Sequence, residues 1–127
     1  MGLFGNLFGK KKVATLLFDK EFQHTRIEIN ESRIMIGRGT YTGGSRAIKE
    51  ENNIKISNSN KNLNTTISSE HCELVLNNEK KYVITDKSKN GTKVNGLSIK
   101  GISKVLENLD KIIIVTKPVA EFQIIYA

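Results

Sequence analysis

Short segments with alternating apolar residues recur from Val13 to the end of this chain, and most are separated by polar or glycine-containing turns. A period of two residues predicts β-strands that bury one face, as for Cys72, Leu74 and Leu76 in "CELVL". Only Lys104–Leu109 is predicted to form a helical turn. Many short strands with little helix favour an antiparallel β-sandwich or barrel. The predicted strands are Val13–Phe18, Phe22–Ile29, Arg33–Ile36, Ile54–Ile56, Cys72–Leu76, Tyr82–Thr85, Thr92–Val94, Lys111–Thr116 and Phe122–Tyr126.

Two long segments interrupt these strands, Gly39–Asn52 and Ser57–Ile67. The first is rich in glycine, threonine and charge, and the second contains the run "SNSNKNLNTTI". Connections of this length are uncommon in a small β-domain and are usually either functional or disordered. They are predicted to be an extra wall beside a binding site or mobile surface.

The chain has 127 residues, which is enough for one compact domain and too few for two. No apolar stretch approaches the roughly 18 residues of a membrane-spanning helix. The single cysteine, Cys72, excludes an internal disulfide and a cysteine-based metal cage. We therefore predict one domain, residues 13–127, preceded by a short tail, residues 1–12.

The tail reads "MGLFGNLFGKKK", with apolar residues at helical spacing followed by three lysines. A secretory signal would place its positive charges before a longer apolar run. The tail is therefore interpreted as amphipathic and basic, able to touch a membrane surface or a partner groove, or else as an unstructured start. With no export signal, the expected location is the cytoplasm, including the inner face of a membrane.

The 20 basic and 13 acidic residues give a formal net charge of +7, which favours anionic partners without selecting one of them. Nucleic acid, acidic lipid and phosphorylated protein are all compatible with this charge. Most of the basic residues are lysines, and the chain contains eight aromatic residues (3 Tyr and 5 Phe) and no evident stacking platform. Nucleic acid is accordingly the least favoured of the three.

Three polar elements lie at the ends of predicted strands. They are "IMIGR", which ends at Gly37 and Arg38, "SSEH" before the strand of Cys72, and "DKSKNGTKVNG", which spans 86–96. If these loops gather at one end of a sandwich, they bring together a guanidinium, hydroxyls and asparagine amides. Many donors without a nucleophile–base pair suit holding an anion better than breaking a bond. No catalytic residue, cofactor or metal site is predicted.

In this order, Gly37-Arg38, Ser68-x-x-His71 and Asn90-Gly91-Thr92-x-x-Asn95-Gly96 resemble the forkhead-associated (FHA) domain. The resemblance extends from about Val13 to Tyr126. It implies an all-β fold, an eleven-stranded antiparallel β-sandwich of the FHA/SMAD type with binding loops at one apex. It also implies that these loops bind phosphothreonine in a partner protein.

Carried over by motif, Arg38 would contact the phosphate, Ser68 would donate its hydroxyl to the same group, and Asn90 would bind the peptide main chain. Ser69 and Lys89 complete the implied site. Ser69 stands where many relatives have arginine or lysine, and Lys89, together with Lys87 and Lys93 of the neighbouring loop, could replace that charge. The residues implied to support the site are Gly37, His71, Gly91, Thr92, Asn95 and Gly96.

The sequence thus predicts a non-catalytic adaptor in Ser/Thr-kinase signalling. Its partners would be Thr-phosphorylated proteins, such as a Ser/Thr kinase or its substrate, and no nucleic acid is expected. Two alternatives stay open, a phosphate-independent interaction scaffold of the same fold and a basic nucleic-acid-binding module.

Overall fold

The computed structural model of the chain describes residues 11–40, 44–116 and 119–127. These residues form a 3₁₀ helix at Lys20–Phe22, one short α-helix (α1, Lys61–Asn64) and twelve strands. No helix within these ranges has the length and apolar character needed to cross a membrane. The strands are β1 Ala14–Phe18, β2 Arg26–Ile29, β3 Arg33–Arg38, β4 Arg46–Glu50, β5 Asn53–Ser57, β6 Cys72–Leu76, β7 Tyr82–Asp86, β8 Lys93–Val94, β9 Leu97–Ser98, β10 Ser103–Val105, β11 Lys111–Thr116 and β12 Val119–Tyr126.

The strands build two six-stranded sheets. Their orders are β9-β8-β11-β12-β1-β2 and β10-β7-β6-β3-β5-β4. Alternate residues of both sheets are buried, which produces a shared apolar core, as the period of two predicted. Three aromatic rings pack within this core, with centroids 5.6 Å apart for Phe18 and Phe22 and 5.1 Å apart for Phe18 and Phe122. The predicted all-β sandwich is confirmed.

Two details of the fold differ from the expectation. The described residues contain twelve strands rather than eleven. In addition, β3 and β5 pair in parallel, with Ile36 opposite Ile54, so the second sheet is mixed rather than purely antiparallel. A parallel pair needs a long crossover. The segment Gly39–Asn52 supplies it, and β4 folds back within this segment to pair with β5.

The predicted strand Phe22–Ile29 was wrong over its first half. Phe22 ends a 3₁₀ helix that Asp19 caps by accepting a hydrogen bond from the Glu21 amide (3.2 Å). Gln23 and His24 then take φ values of 58° and 53°, which a regular strand does not allow. The strand begins only at Arg26, because the chain first turns to bury the Phe22 side chain in the core.

Two segments at the edges of the second sheet, Lys104–Leu109 and Gly39–Asn52, were not predicted to be strands, but each overlaps a strand of the structure. Lys104–Leu109 was predicted to be helical, but Ser103–Val105 pairs with β7, and Leu109 has a φ of 72°. Within Gly39–Asn52, residues 46–50 form β4, where Ala47 is buried and its two neighbours are exposed. An edge strand pairs on one side only, so fewer of its residues need to be apolar.

The asparagine-rich segment Ser57–Ile67 is an ordered loop, in which asparagine side chains accept hydrogen bonds from backbone amides of the same segment. The side-chain oxygen of Asn58 accepts from the Asn60 amide (2.8 Å), and that of Asn60 accepts from the Asn62 amide (2.9 Å). The buried Asn64 closes the loop by accepting from the Asn58 amide at 2.7 Å. These turns fix the end of the loop that enters "ISSEH". Of the predicted tail, only Lys11 and Lys12 fall within the described residues.

Candidate functional site

The turn at Ser68–His71 lies directly against the end of β3. A Cβ on Gly37 would stand 1.8 Å from the Ser69 carbonyl oxygen, so no residue with a side chain fits there without a shift of the backbone. Two backbone hydrogen bonds flank this contact, from the Arg38 amide to the Ser68 carbonyl (3.0 Å) and from the His71 amide to the Ile36 carbonyl (2.8 Å). Glycine at this position therefore permits the first two motifs to meet.

His71 joins this turn to the third motif. It is fully buried, its Nδ1 accepts a hydrogen bond from the Ser68 amide (3.1 Å), and its Nε2 lies 3.0 Å from the Gly91 carbonyl. Because Nδ1 accepts, the ring proton is on Nε2, which donates to Gly91. Burial lowers the pKa of His71, so the ring is neutral. With both nitrogens engaged, His71 is a brace between two loops rather than a free base.

Cys72, next in the chain, faces the core and is also fully buried. Burial raises the pKa of its thiol, and the negative charge of Asp86 adds to this effect. The thiol is therefore protonated, which excludes a thiolate pair with His71.

Asp86 organises the loop that precedes β8. Its Oδ1 accepts hydrogen bonds from the Ser88 amide (3.0 Å), the Ser88 hydroxyl (2.6 Å) and the buried Thr92 hydroxyl (2.8 Å). Burial would raise the pKa of this carboxyl, but the bonds from Ser88 and Thr92 outweigh it, and the pKa is lowered. Gly91 has a φ of 101° and donates its amide to the Ser88 hydroxyl (2.7 Å), which completes the turn.

The three loops meet at one apex of the sandwich. The Arg38 guanidinium donates through Nη1 to the carbonyls of Ile67 (3.1 Å) and Thr65 (3.4 Å). The Asn90 side chain donates to the Thr66 carbonyl at 2.9 Å. The Ser68 hydroxyl accepts from the Lys89 amide at 2.9 Å. A guanidinium and a carboxamide are thus anchored to the carbonyls of residues 65–67, next to the hydroxyl of Ser68.

Much of the hydrogen-bonding capacity at this apex is not used by contacts among the described residues. The contacts of Arg38 to described residues use Nη1 alone, which leaves the donors on Nε and Nη2. Ser68 accepts a hydrogen bond through its oxygen, so its own hydroxyl proton is still available. No ion pair with a described carboxylate neutralises Arg38. Donors of this kind, fixed and partly exposed, can hold an anion with several oxygens.

Ser69 and Lys89 lie at the same apex with exposed side chains. Ser69 contributes its carbonyl to the contact with Gly37, and its hydroxyl adds no charge. The Lys89 carbonyl accepts a hydrogen bond from the Lys100 Nζ at 3.3 Å.

Asn95 and Gly96 take part in a neighbouring hairpin rather than in the contacts of the apex. Both have positive φ, 51° and 85° respectively. The Asn95 side chain donates to the Asp110 carboxylate (2.8 Å) and accepts from the Lys111 amide (2.9 Å). They therefore fix the turn between β8 and β9 against the start of β11.

Sequence reasoning missed the part that the carbonyls of Thr65, Thr66 and Ile67 play in orienting Arg38 and Asn90. Backbone acceptors carry no signature of their own in a sequence. The signal was indirect, because asparagines at every second position from Asn58 to Asn64 predict successive side-chain-capped turns that fix a loop.

Among the described residues, no group of three or more His, Cys, Asp and Glu side chains could hold a metal ion.

Solved structures with the same fold are FHA domains. The FHA domain of FhaA, complexed with the intracellular domain of Rv3910, is 20% identical with a TM-score of 0.62, and the match covers 87% of this chain and 98% of that one. The N-terminal FHA domain of S. cerevisiae Rad53p, in complex with a phosphothreonine peptide, is 16% identical with a TM-score of 0.65, covering 91% and 94%. The FHA domain of yeast Dun1, in complex with a doubly phosphorylated peptide, is 22% identical with a TM-score of 0.63, covering 91% and 75%.

A search of curated protein sequences gave no significant match. A family model described as the FHA domain, however, matches residues 34–115, which include Gly37-Arg38, Ser68-x-x-His71 and the turn at Asn90-Gly91. The match spans more than half of the chain and contains every loop of the apex. The chain therefore belongs to the FHA domain family.

Proposed function

We propose that this protein is a non-catalytic adaptor that binds phosphothreonine in partner proteins. The observation that carries the proposal is that Arg38 and Asn90 are anchored to the carbonyls of residues 65–67, directly before Ser68, with donors left over on Arg38 and Ser68. A phosphorylated side chain brings about −1.5 to −2 charges and three acceptor oxygens, which suit a guanidinium and a hydroxyl.

Each residue has a distinct role in the proposal. Arg38 pairs with the phosphate through its free donors, and Ser68 donates its hydroxyl to the same group. Asn90 holds the peptide main chain, and Ser69 and Lys89 border the phosphate on the exposed side. Lys89 supplies the positive charge that Ser69 does not.

Gly37, His71, Gly91 and Thr92 support the site through the contacts that hold its three loops together. Asn95 and Gly96 support it indirectly, by fixing the hairpin that follows. None of the six needs to touch the peptide.

The partners in this proposal are Thr-phosphorylated proteins, and a Ser/Thr kinase places the phosphate, so the partner is that kinase or one of its substrates. Support comes from relatives of the same fold, one in complex with a phosphothreonine peptide and one with a doubly phosphorylated peptide. A kinase-dependent adaptor of this kind belongs in the cytoplasm.

The test is a titration of phosphothreonine peptides and their unphosphorylated forms against the wild type, Arg38→Ala and Arg26→Ala. Hydrogen bonds to charged groups contribute about 1.5–3 kcal/mol, so Arg38→Ala should weaken phosphopeptide binding by about 10- to 150-fold. Arg26 is an exposed arginine on β2 of the other sheet, so its replacement removes the same charge without altering any contact that holds the apical loops together.

Equal binding of the unphosphorylated peptides would refute the proposal. A cellular partner that persists after phosphatase treatment and after Arg38→Ala would instead favour the phosphate-independent scaffold.

A further inference from the structure

A basic groove extends from the apex down the outer face of the second sheet. It encloses about 360 Å³ and is lined by Arg38, Gly39, Thr40, Arg46, Ile48, Glu50, Lys55 and Ser57. We call it the β4 groove, because β4 forms its outer wall. None of the contacts that hold the apical loops together uses Arg46 or Lys55.

The register of the sheet explains why a groove forms here. Lys55 of β5 lies between Gly37 of β3 and Ile48 of β4, and Arg46 lies opposite Ser57. Gly39 also lines the groove, and a Cβ there would stand 3.1 Å from the Lys55 Cβ, so a side chain at this position would crowd Lys55. Arg46, Ile48 and Glu50 alternate along β4, so their side chains project from the same face and line the groove at the edge of the sheet.

The groove has a positive end and a negative end. β4 runs antiparallel to β5, which is parallel to β3, so Arg46 lies at the apical end with Arg38 and Glu50 lies at the opposite end. No described carboxylate forms an ion pair with Arg38, Arg46 or Lys55. Uncompensated guanidinium and ammonium groups in one concave surface attract an anion.

Arg38 lines both the apical site and the β4 groove, so the two are continuous. Two strand spacings of about 4.8 Å separate β3 from β4, a distance of about 10 Å that a few residues of an extended peptide can span. A peptide held at the apex by its phosphothreonine can therefore place a nearby side chain in the groove.

We propose that the β4 groove is a second subsite that selects partners carrying an acidic side chain, a carboxylate or a second phosphate, within a few residues of the phosphothreonine. Arg46 and Lys55 pair with this anion, and Glu50 limits how far along the groove it can sit. This inference rests on the proposed function, since the phosphothreonine at the apex brings the second anion within reach.

The experiment compares phosphothreonine peptides that carry Gln, Glu or phosphoserine at each flanking position in turn. At the position that reaches the groove, the acidic peptides should bind about 2- to 5-fold more tightly than the Gln peptide, the range expected for an exposed ion pair. Tighter binding of the Glu peptide identifies a carboxylate as sufficient, and tighter binding of the phosphoserine peptide alone identifies a second phosphate.

Variants assign the preference to the groove. Arg46→Gln and Lys55→Gln should each reduce the ratio of affinities, and the double variant should bring it close to one. Glu50→Gln should raise it. Lys104→Gln removes one charge from the opposite edge of the same sheet and should leave the ratio as in the wild type.

The outcomes separate this inference from the proposed function. Phosphopeptide binding without an acidic preference at any position would overturn the β4 groove alone, as would a preference that survives in the double variant. A wild-type protein that binds no phosphothreonine peptide would overturn both.

Discussion

Replacing Gly37 with alanine tests the contact on which the whole apex depends. The new Cβ would overlap the Ser69 carbonyl oxygen at 1.8 Å, so the Ser68–His71 turn has to move away from β3. Overpacking of this kind costs about 1–3 kcal/mol. The shift also weakens two backbone hydrogen bonds, Arg38 to Ser68 and His71 to Ile36, each contributing about 0.5–1.5 kcal/mol. We expect Gly37→Ala to lower the free energy of unfolding by about 2–6 kcal/mol if both bonds are lost.

Urea or guanidinium unfolding curves measure this change, and Gly44→Ala is the matched control. Nothing lies within 4 Å of a Cβ on Gly44, so that variant should be unchanged or up to about 1 kcal/mol more stable. A domain of this size has about 5–15 kcal/mol of stability, so the predicted loss is a large fraction of the total and should move the unfolding midpoint well below that of the wild type. If the two alanine variants unfold at the same denaturant concentration, the Ser68–His71 turn does not pack on Gly37 as described.

Two further predictions follow from the hydrogen bonds of the apex. Asn90→Ala removes the bond to the Thr66 carbonyl and the proposed bond to the peptide. Fluorescence anisotropy should therefore show phosphopeptide binding weakened by about 2- to 12-fold, the equivalent of about 0.5–1.5 kcal/mol. Unchanged affinity would count against the role of Asn90 in binding the peptide. Burial lowers the pKa of His71 below 6.5, so the unfolded chain takes up this proton first as the pH falls. The free energy of unfolding should then decrease below about pH 6.5, and His71→Gln should flatten this slope; a variant that keeps the slope of the wild type would contradict it.

The strands that sequence analysis placed best are the central ones. Cys72–Leu76 and Lys111–Thr116 were predicted with the bounds that the structure has. Each has a neighbour on both sides in its sheet, so burial demands apolar residues at alternate positions and the sequence shows them. The strands Arg46–Glu50 and Ser103–Val105 lie at the two edges of the second sheet, where this demand is weaker, and both were missed.

The apex was predictable only in part for a related reason. Gly37, Arg38, Ser68, His71 and Asn90 stand out as residue types in a known order. The partners that orient them are mostly backbone atoms, including the carbonyls of residues 65–67 and the amide of residue 89, which any residue could supply. The course of the 57–67 loop, and with it the position of those carbonyls, depends on tertiary folding that the motifs do not encode.

Some hydrogen-bonding side chains at the apex are engaged in holding its loops together and others are not, and this difference bears on the chemistry that the apex can perform. His71 uses both ring nitrogens and Asp86 uses one oxygen three times, so the two residues of the apex best suited to acid–base chemistry are committed to holding the loops. Arg38 and Ser68 keep donors that these contacts do not use. With the imidazole and one carboxylate oxygen engaged in holding the loops, the remaining donors suit the binding of an anion with several oxygens.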